Sequence, residues 1–394
     1  MLRTARRATS AITGLGWGVL AVALLAWFAG ALLGWIELLI IAAAGVVTLV
    51  LCALLTIGRT RLAVTIDVEP RRVVAGNPSA GRVRVTNASR VRLLPITLEL
   101  PVGVTRAQFP LKRLRMGEVQ EEIFSLATNR RGVVPVGPAT TVRGDPFGLL
   151  RRTVPWTEVI ELIVHPITVG LEPLGAGVLR DLEGQTTNET STSDLAFHTL
   201  REYAPGDDRR YIHWRSSARA SALSDQSTLL VRQFLDTRRS HLCAIVDGRP
   251  GAYLDEIDFE TAISVAASVV RRALTDEVDT TVLAAQSVVE AGNVAVSMDA
   301  FSRAELGGDV LLSARAARAA QIAPDTTVAL LVTGANTEFP ELRRAANHFT
   351  PEVNVVAVRV DPTGPVGLTG LDRLTVLTLP QLSGLRAVLA GISQ

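Results

Sequence analysis

Between Leu200 and Phe234 many charges crowd around a few rings. The run Leu200-Arg201-Glu202-Tyr203-Ala204-Pro205-Gly206-Asp207-Asp208-Arg209-Arg210-Tyr211-Ile212-His213-Trp214-Arg215 continues through Arg219. After a polar link it closes with Val231-Arg232-Gln233-Phe234. Three kinds of chemistry could use such a set. Arg201, Arg209, Arg210 and Arg219 could pair with Asp207 and Asp208 and pin the stretch to its neighbours, because charge-assisted arginine–carboxylate bonds suit fixed docking. The same charges, with Tyr203 and Trp214 as anchors, could form a face that grips another protein, since interfaces favour Trp, Tyr and Arg. His213 beside an acid could act as a general acid–base pair, the core of a hydrolase. That third reading finds no nucleophile signature and no glycine-rich phosphate loop nearby.

Little else in the chain points to a reaction. The five histidines (His165, His198, His213, His241 and His348) are scattered, and no pair has the spacing of metal ligands. Cys52 lies in an apolar run and Cys243 in an expected buried strand, so no disulfide between them is expected. A formal net charge of +2 gives no push toward nucleic acid. No cofactor is expected.

The elements that would position these residues can be read from periodicity. Pro205-Gly206 forces a turn. Asp208 can cap a short helix whose apolar side is Tyr211, Trp214 and Ala218. Leu229 to Phe234 reads as a strand. Upstream, the segment from about 169 to 193 is glycine- and hydroxyl-rich and reads as a link. Asn188-Glu189-Thr190 and Asn87-Ala88-Ser89 fit the glycosylation pattern by chance.

Residues 62–168 alternate with period two. Val64, Ile66 and Val68, then Val83 and Val85, then Ile96, Leu98 and Leu100, each alternate with polar residues. Short strands punctuated by turns predict an immunoglobulin-like sandwich. Gly144-Asp145-Pro146-Phe147-Gly148-Leu149 reads as a tight structural turn, with Phe147 free to plug a core and Gly148 at positive φ.

Residues 241–394 alternate strand and helix. Strands are expected at His241–Val246, Thr280–Ala285, Thr327–Val332, Val353–Val360 and Leu374–Leu379. Helices are expected at Asp255–Thr275, Phe301–Ala320, Glu338–His348 and Gln381–Ala390. Ser287–Val289 and Val294–Ser297 read as a hairpin. The pattern predicts a mostly parallel sheet covered on both faces.

Residues 1–61 are different again. From Ala8 to Gly58 the single charged residue is Glu37. Ala11–Leu33 and Leu38–Ile57 are each long enough to cross about 30 Å of hydrocarbon as helices. Gly34-Trp35-Ile36-Glu37 is the turn between them, with Trp35 best placed for the interface. Arginines flank the pair: Arg3, Arg6 and Arg7 before it, Arg59, Arg61, Arg71 and Arg72 after it. The positive-inside rule then puts both ends and the soluble bulk in the cytoplasm. The competing expectation is a cleaved signal peptide and one span, with the soluble part outside. Neither span carries an internal acid or base for a transport pathway, so the hairpin reads as an anchor.

The run from Leu200 through Arg219, with Val231-Arg232-Gln233-Phe234, resembles the signature of a bacterial membrane-protein family known as domain of unknown function 58. Gly132–Pro138 and Gly144–Leu149 resemble it too. The resemblance implies two membrane spans, a β-rich domain and a degenerate von Willebrand factor A-like α/β domain. It also implies a MoxR-type AAA+ ATPase as partner. That α/β fold usually holds a divalent cation through Asp-x-Ser-x-Ser and oxygens from later loops. Here the loop reads Asp247-Gly248-Arg249-Pro250-Gly251, and the later loop Thr333-Gly334-Ala335-Asn336 offers no acid. The expectation is a degenerate site at Asp247 without a metal, in which Asp247 pairs with Arg249 or caps the next loop.

The expected organisation is therefore a transmembrane hairpin at 1–61, a β-sandwich at 62–168, a linker and signature segment at 169–240, and an α/β domain at 241–394. The expected function is a non-enzymatic membrane scaffold or adaptor working with the ATPase on an unknown protein client of the cell envelope. Arg201, Tyr203, Asp207, Arg210, His213, Trp214, Arg219 and Arg232 are the expected functional surface or its support. The alternatives are a cation-dependent adhesion-type module at Asp247 and a hydrolase at His213.

Overall fold

The computed structural model describes residues 12–56, 61–93, 95–172, 196–204, 209–223, 229–235, 240–290, 292–371 and 374–389. They form two compact units that divide between His165 and Pro166.

The first unit begins with helix α1 (Gly14–Leu33) and helix α2 (Ile36–Thr56). Both are long and apolar enough to cross a membrane. Thr13 caps α1, and Gly34 ends it at a φ of 70°. That left-handed turn is cheap only for glycine. The helices meet along small residues: Ala23, Ala26 and Gly30 of α1 and Ala42 of α2 are buried. A Cβ on Gly45 would sit 3.1 Å from the Cβ of Ala23. Small residues let the backbones approach, a packing also used by membrane-spanning helices. The large side chains point outward. Leu15, Leu24, Leu25, Phe28 and Leu32 are all more than half exposed, a surface suited to lipid rather than water.

The rest of the unit is a β-sandwich. Its strands in chain order are β1 (Leu62–Glu69), β2 (Arg72–Val74), β3 (Ser79–Asn87), β4 (Ile96–Val102), β5 (Thr105–Leu111), β6 (Val119–Leu126), β7 (Gly132–Val136), β8 (Thr140–Gly144), β9 (Arg151–Pro155) and β10 (Ile160–His165). One sheet runs β1-β3-β6; the other runs β2-β10-β7-β4-β8-β9, with β5 on β4. The alternating residues meet between them. Ile66, Val68, Val83, Val85 and Phe124 of the first sheet pack with Leu98, Leu100, Val136 and Leu162 of the second. Their outward neighbours Arg82 and Arg84 reach Glu121 across the strand pair. Phe147 corrects an expectation: it is 67% exposed and plugs no core. The turn that carries it points its tip outward.

The second unit holds a two-stranded ribbon, β11 (Ala196–Glu202) with β12 (Leu230–Leu235), and helix α3 (Trp214–Leu223) in the connection. Its main sheet comprises β13 (His241–Val246), β14 (Asp279–Ala284), β15 (Ser287–Val289), β16 (Val328–Gly334), β17 (Asn354–Val360), β18 (Gly367–Leu371) and β19 (Leu374–Leu379), ordered β15-β14-β13-β16-β17-β19-β18. The five inner strands are parallel, and β15 and β18 close the edges antiparallel. Helices α4 (Glu256–Thr275), α5 (Val294–Arg303), α6 (Leu312–Ile322), α7 (Phe339–Ala346) and α8 (Leu385–Leu389) cover it. Leu242, Ala244 and Val246 pack with α4, α5 and α8 on one face. Cys243 and Ile245 pack with α6 and α7 on the other. Asp255 and Asp258 close a capping box that starts α4.

Two further expectations fail here. Val294–Ser297 is the start of a helix, not a strand, because the Asn293 side chain accepts the N–H of Val296 and caps it. The hairpin is instead β14 with β15. The single helical region over Phe301–Ala320 is two helices, α5 and α6, with the chain at Gly308 turning through a φ of 82° between them.

Candidate functional site

Two places were singled out by residue type, and each is built by a strand end or ribbon. The first is the carboxyl end of β13. The strand is buried from Leu242 to Val246, and Asp247, the next residue, has no exposed surface. A bare carboxylate there would be costly. Arg249 meets it. Its Nε lies 3.1 Å from Asp247 Oδ1 and its Nη2 2.7 Å from Oδ2. The Arg249 backbone N–H donates to Oδ1 as well, at 3.1 Å. Thr333, at the end of β16, donates its hydroxyl to Oδ2 at 3.1 Å and lies 2.7 Å from the Thr337 hydroxyl. Tyr253 OH donates to the Asp247 carbonyl at 2.7 Å. This pair holds the Arg249 guanidinium above its ordinary pKa, chiefly through the bonds to Asp247.

A second guanidinium stands close by. Arg315 of α6 donates to the Ala285 carbonyl, and a Cβ on Gly248 would lie 3.1 Å from its Nη2. Its Nε is buried without a hydrogen-bond partner among the described residues. Burial lowers its pKa, against the pull of Asp247. The electrostatic field at the strand end is thus set mainly by the Asp247 carboxylate and two arginines, with the buried Glu341 carboxylate also acting on Arg249. A divalent cation does not fit this donor set. Magnesium wants a near-octahedral shell of oxygens, and the fork of Arg249 already takes both carboxylate oxygens. Among the described residues, no group of three or more His, Cys, Asp or Glu is placed to hold a metal.

The second place is the ribbon. Its register pairs Arg201 with Val231 and Leu200 with Arg232. Tyr203 N–H donates to the Leu229 carbonyl at 2.8 Å, and His213 N–H to the Leu230 carbonyl at 2.8 Å. Ile212 bridges Val231, and both are buried. Ser217, 3% exposed, ties α3 to the ribbon: its hydroxyl donates to the His213 carbonyl at 3.1 Å and accepts the Leu230 N–H at 2.8 Å. His213 Nδ1 accepts the Ser216 N–H at 3.2 Å and so caps the helix. Asp207 and Asp208 lie outside the described residues, as does the side chain of Arg232.

The expected apolar side of α3 is corrected. Trp214 is 66% exposed and Ala218 is exposed, while Ile212 and Ser217 face inward. The bridge to Val231 draws Ile212 into the space expected for the indole. Trp214 is the first helical residue, where side chains tilt toward the helix start and away from the packed turn. Arg209, Arg210 and Arg219 are exposed, and Arg201 and Tyr203 are half-buried. Arg201 Nη1 donates to the Glu202 carbonyl at 3.1 Å. The ribbon therefore brings Arg201, Tyr203, His213 and Trp214 onto one small assembly. Ser217, Thr333 and Arg315 carry contacts that residue type alone did not flag. Ser217 stands four residues after His213, the helical spacing of a hydroxyl-to-carbonyl bond.

No family model and no curated protein matches this chain. Among solved structures, the CARDB domain of a Pyrococcus furiosus protein is similar over 27% of this chain and 93% of its own, with 17% identity and a TM-score of 0.21. An ApaA protein from Bordetella pertussis is similar over 27% of this chain and 94% of its own, with 16% identity and a TM-score of 0.21. A β-glucosidase from Listeria innocua in complex with glucose is similar over 27% of this chain and 16% of its own, with 16% identity and a TM-score of 0.19. Likenesses this slight carry no functional argument.

Proposed function

We propose that this chain is a membrane-anchored, non-enzymatic scaffold or adaptor that works with a MoxR-type AAA+ ATPase to assemble or mature an envelope-associated complex. The observation that carries the reading is Trp214. A tryptophan two-thirds exposed, on a helix locked to a ribbon by Ser217 and His213 that also carries the exposed Arg219, is a ready anchor for a protein partner. The α/β domain is read as von Willebrand A-like. Strand order β15-β14-β13-β16-β17 with an antiparallel β15 supports that reading. In it Arg249 stands where the cation would be, so adhesion through a bound metal is disfavoured. The arginines flanking the two spans favour a cytoplasmic position for the soluble bulk, which is where an AAA+ partner would be.

Co-purification of the full chain from native membranes, with nucleotide present, tests this. The expected result is a MoxR-type ATPase in the eluate. Its absence from repeated wild-type captures would reject the partnership.

A further inference from the structure

The turn after β8 is held against the ends of both apolar helices, and its one large side chain faces outward. Asp145 makes it: its Oδ1 accepts the Phe147 N–H at 2.8 Å, and its carbonyl accepts the Gly148 N–H at 3.1 Å. Gly148 turns back at a φ of 70°. The start of α1 then clasps the returning strand. Ile12 bridges Leu150, Thr13 N–H donates to the Leu149 carbonyl at 3.0 Å, and Thr13 Oγ1 lies 2.7 Å from the Gly148 carbonyl. The fit is close enough that a Cβ on Gly16 would lie 2.3 Å from the Leu149 carbonyl oxygen. From α2, the Cys52 thiol bonds the Asp145 carboxylate. The buried side of the turn is thus complete, yet Pro146 and Phe147 remain exposed, Phe147 by 67%.

Depth follows from these bonds. The twenty residues of α1 span about 30 Å, the thickness of the hydrocarbon core, so Gly14 falls at one edge of it. Phe147 is one residue from a group bonded to Thr13, which puts its Cα within about 11 Å of Thr13. The headgroup layer on each side is about 5–7 Å deep. Leu15 and Trp17, the nearest large side chains of α1, are also exposed. We infer that the Asp145–Gly148 turn is a membrane-interface foot, with Pro146 and Phe147 inserted among lipid headgroups and upper acyl chains. The occupant is lipid because the turn that carries the exposed tip is bonded to the start of α1, whose nearby Leu15 and Trp17 are large, apolar and exposed. The inference rests on the reading of α1 and α2 as spans.

The test uses the full chain in phosphatidylcholine–phosphatidylglycerol vesicles, with a polarity-sensitive fluorophore on single introduced thiols. Phe147→Cys and Pro146→Cys report the foot. Leu25→Cys, exposed at mid-helix in α1, reports the span. Val104→Cys reports water: it follows the end of β4 opposite to the one nearest the turn, as the β4–β8 register shows. The unsubstituted chain, whose Cys52 and Cys243 are buried, sets the background. The expected result is blue-shifted emission at Phe147 and Pro146, quenched by shallow nitroxide lipids and shielded from aqueous iodide. Foot labels that behave like Val104, with Leu25 in hydrocarbon, overturn the foot alone. A Leu25 label in water overturns the spans and the foot with them.

Discussion

Asp247 illustrates how one residue type decides a site. A fully buried carboxylate at a strand end needs a cation, and Arg249 supplies one from two residues away through a two-pronged bond. Titration calorimetry with millimolar Mg²⁺ or Ca²⁺ is accordingly expected to record no site-binding heat; a saturable heat lost in Asp247→Asn would favour the adhesion reading. Arg249→Gln leaves the carboxylate buried with Thr333 as its remaining side-chain donor among those described here. Removing one partner of a buried pair costs about 3–5 kcal/mol, and the lower end applies because the Arg249 side chain is 19% exposed. The expected readout is a lower thermal midpoint, partly recovered by adding Asp247→Asn, since that removes the unpaired charge. Asp145 gives a pH prediction. Burial opposes its charge, but the N–H groups of Leu150, Phe147 and Leu149 and the Cys52 thiol outweigh it, so its pKa is lowered. A carboxyl depressed in the folded state adds stability above its unfolded value. That contribution is lost as the pH falls below about 3.9 and through the folded pKa. Amide exchange in residues 145–150 should rise over that acid range, and Asp145→Asn should flatten the dependence.

At the scale of elements, the tightest junction is the clasp between α1 and the turn. Gly16→Val would drive a side chain into the Leu149 carbonyl, a backbone atom that cannot rotate aside. Overpacking of this kind costs about 1–3 kcal/mol. Limited proteolysis should cut the variant faster between 144 and 150, while Gly18→Val, which meets nothing within 4 Å, should match wild type there. The elements themselves were legible wherever one period ruled. Val83 and Val85 announced a half-buried strand, and the unbroken apolar run of β13 a fully buried one. The α1–α2 hairpin was legible from length and the lack of charge. Reading failed where a single side chain reset local geometry. Val294-Ala295-Val296 looks like a strand until Asn293 caps it. Trp214 looks like core until Ile212 takes the inward place through a bridge to Val231, nineteen residues on. Phe147 looks like a plug because apolarity says nothing of which solvent a residue faces. Of the candidate sites, the charge and the rings could be seen in sequence, but the roles of Ser217, Thr333 and Arg315 depend on strands and helices brought together from distant positions.

For the molecule as a whole, the proposed membrane hairpin would give the proposed protein-binding face its consequence. If the two apolar helices fix the first unit in a membrane, any partner gripped by the second unit would be held at the bilayer. Anchorage also raises the local concentration of the partner for a further contact. The grip is the step open to direct measurement. Trp214 buries little in the free chain, so Trp214→Ala should move the thermal midpoint hardly at all; exposed positions away from special features shift stability by about 0.5 kcal/mol or less. At an interface, a tryptophan anchor is worth about 2 kcal/mol or more, which is roughly a thirtyfold loss in affinity. The comparison of interest is therefore between two readouts on one variant. Capture of the MoxR-type ATPase by Trp214→Ala should fall by about that factor while folding is unchanged. Arg219→Ala, at the exposed margin of the same helix, should lose less. Unaltered capture by a folded Trp214→Ala chain would mean that the indole faces solvent for some other reason, and the ribbon would no longer stand as the binding face.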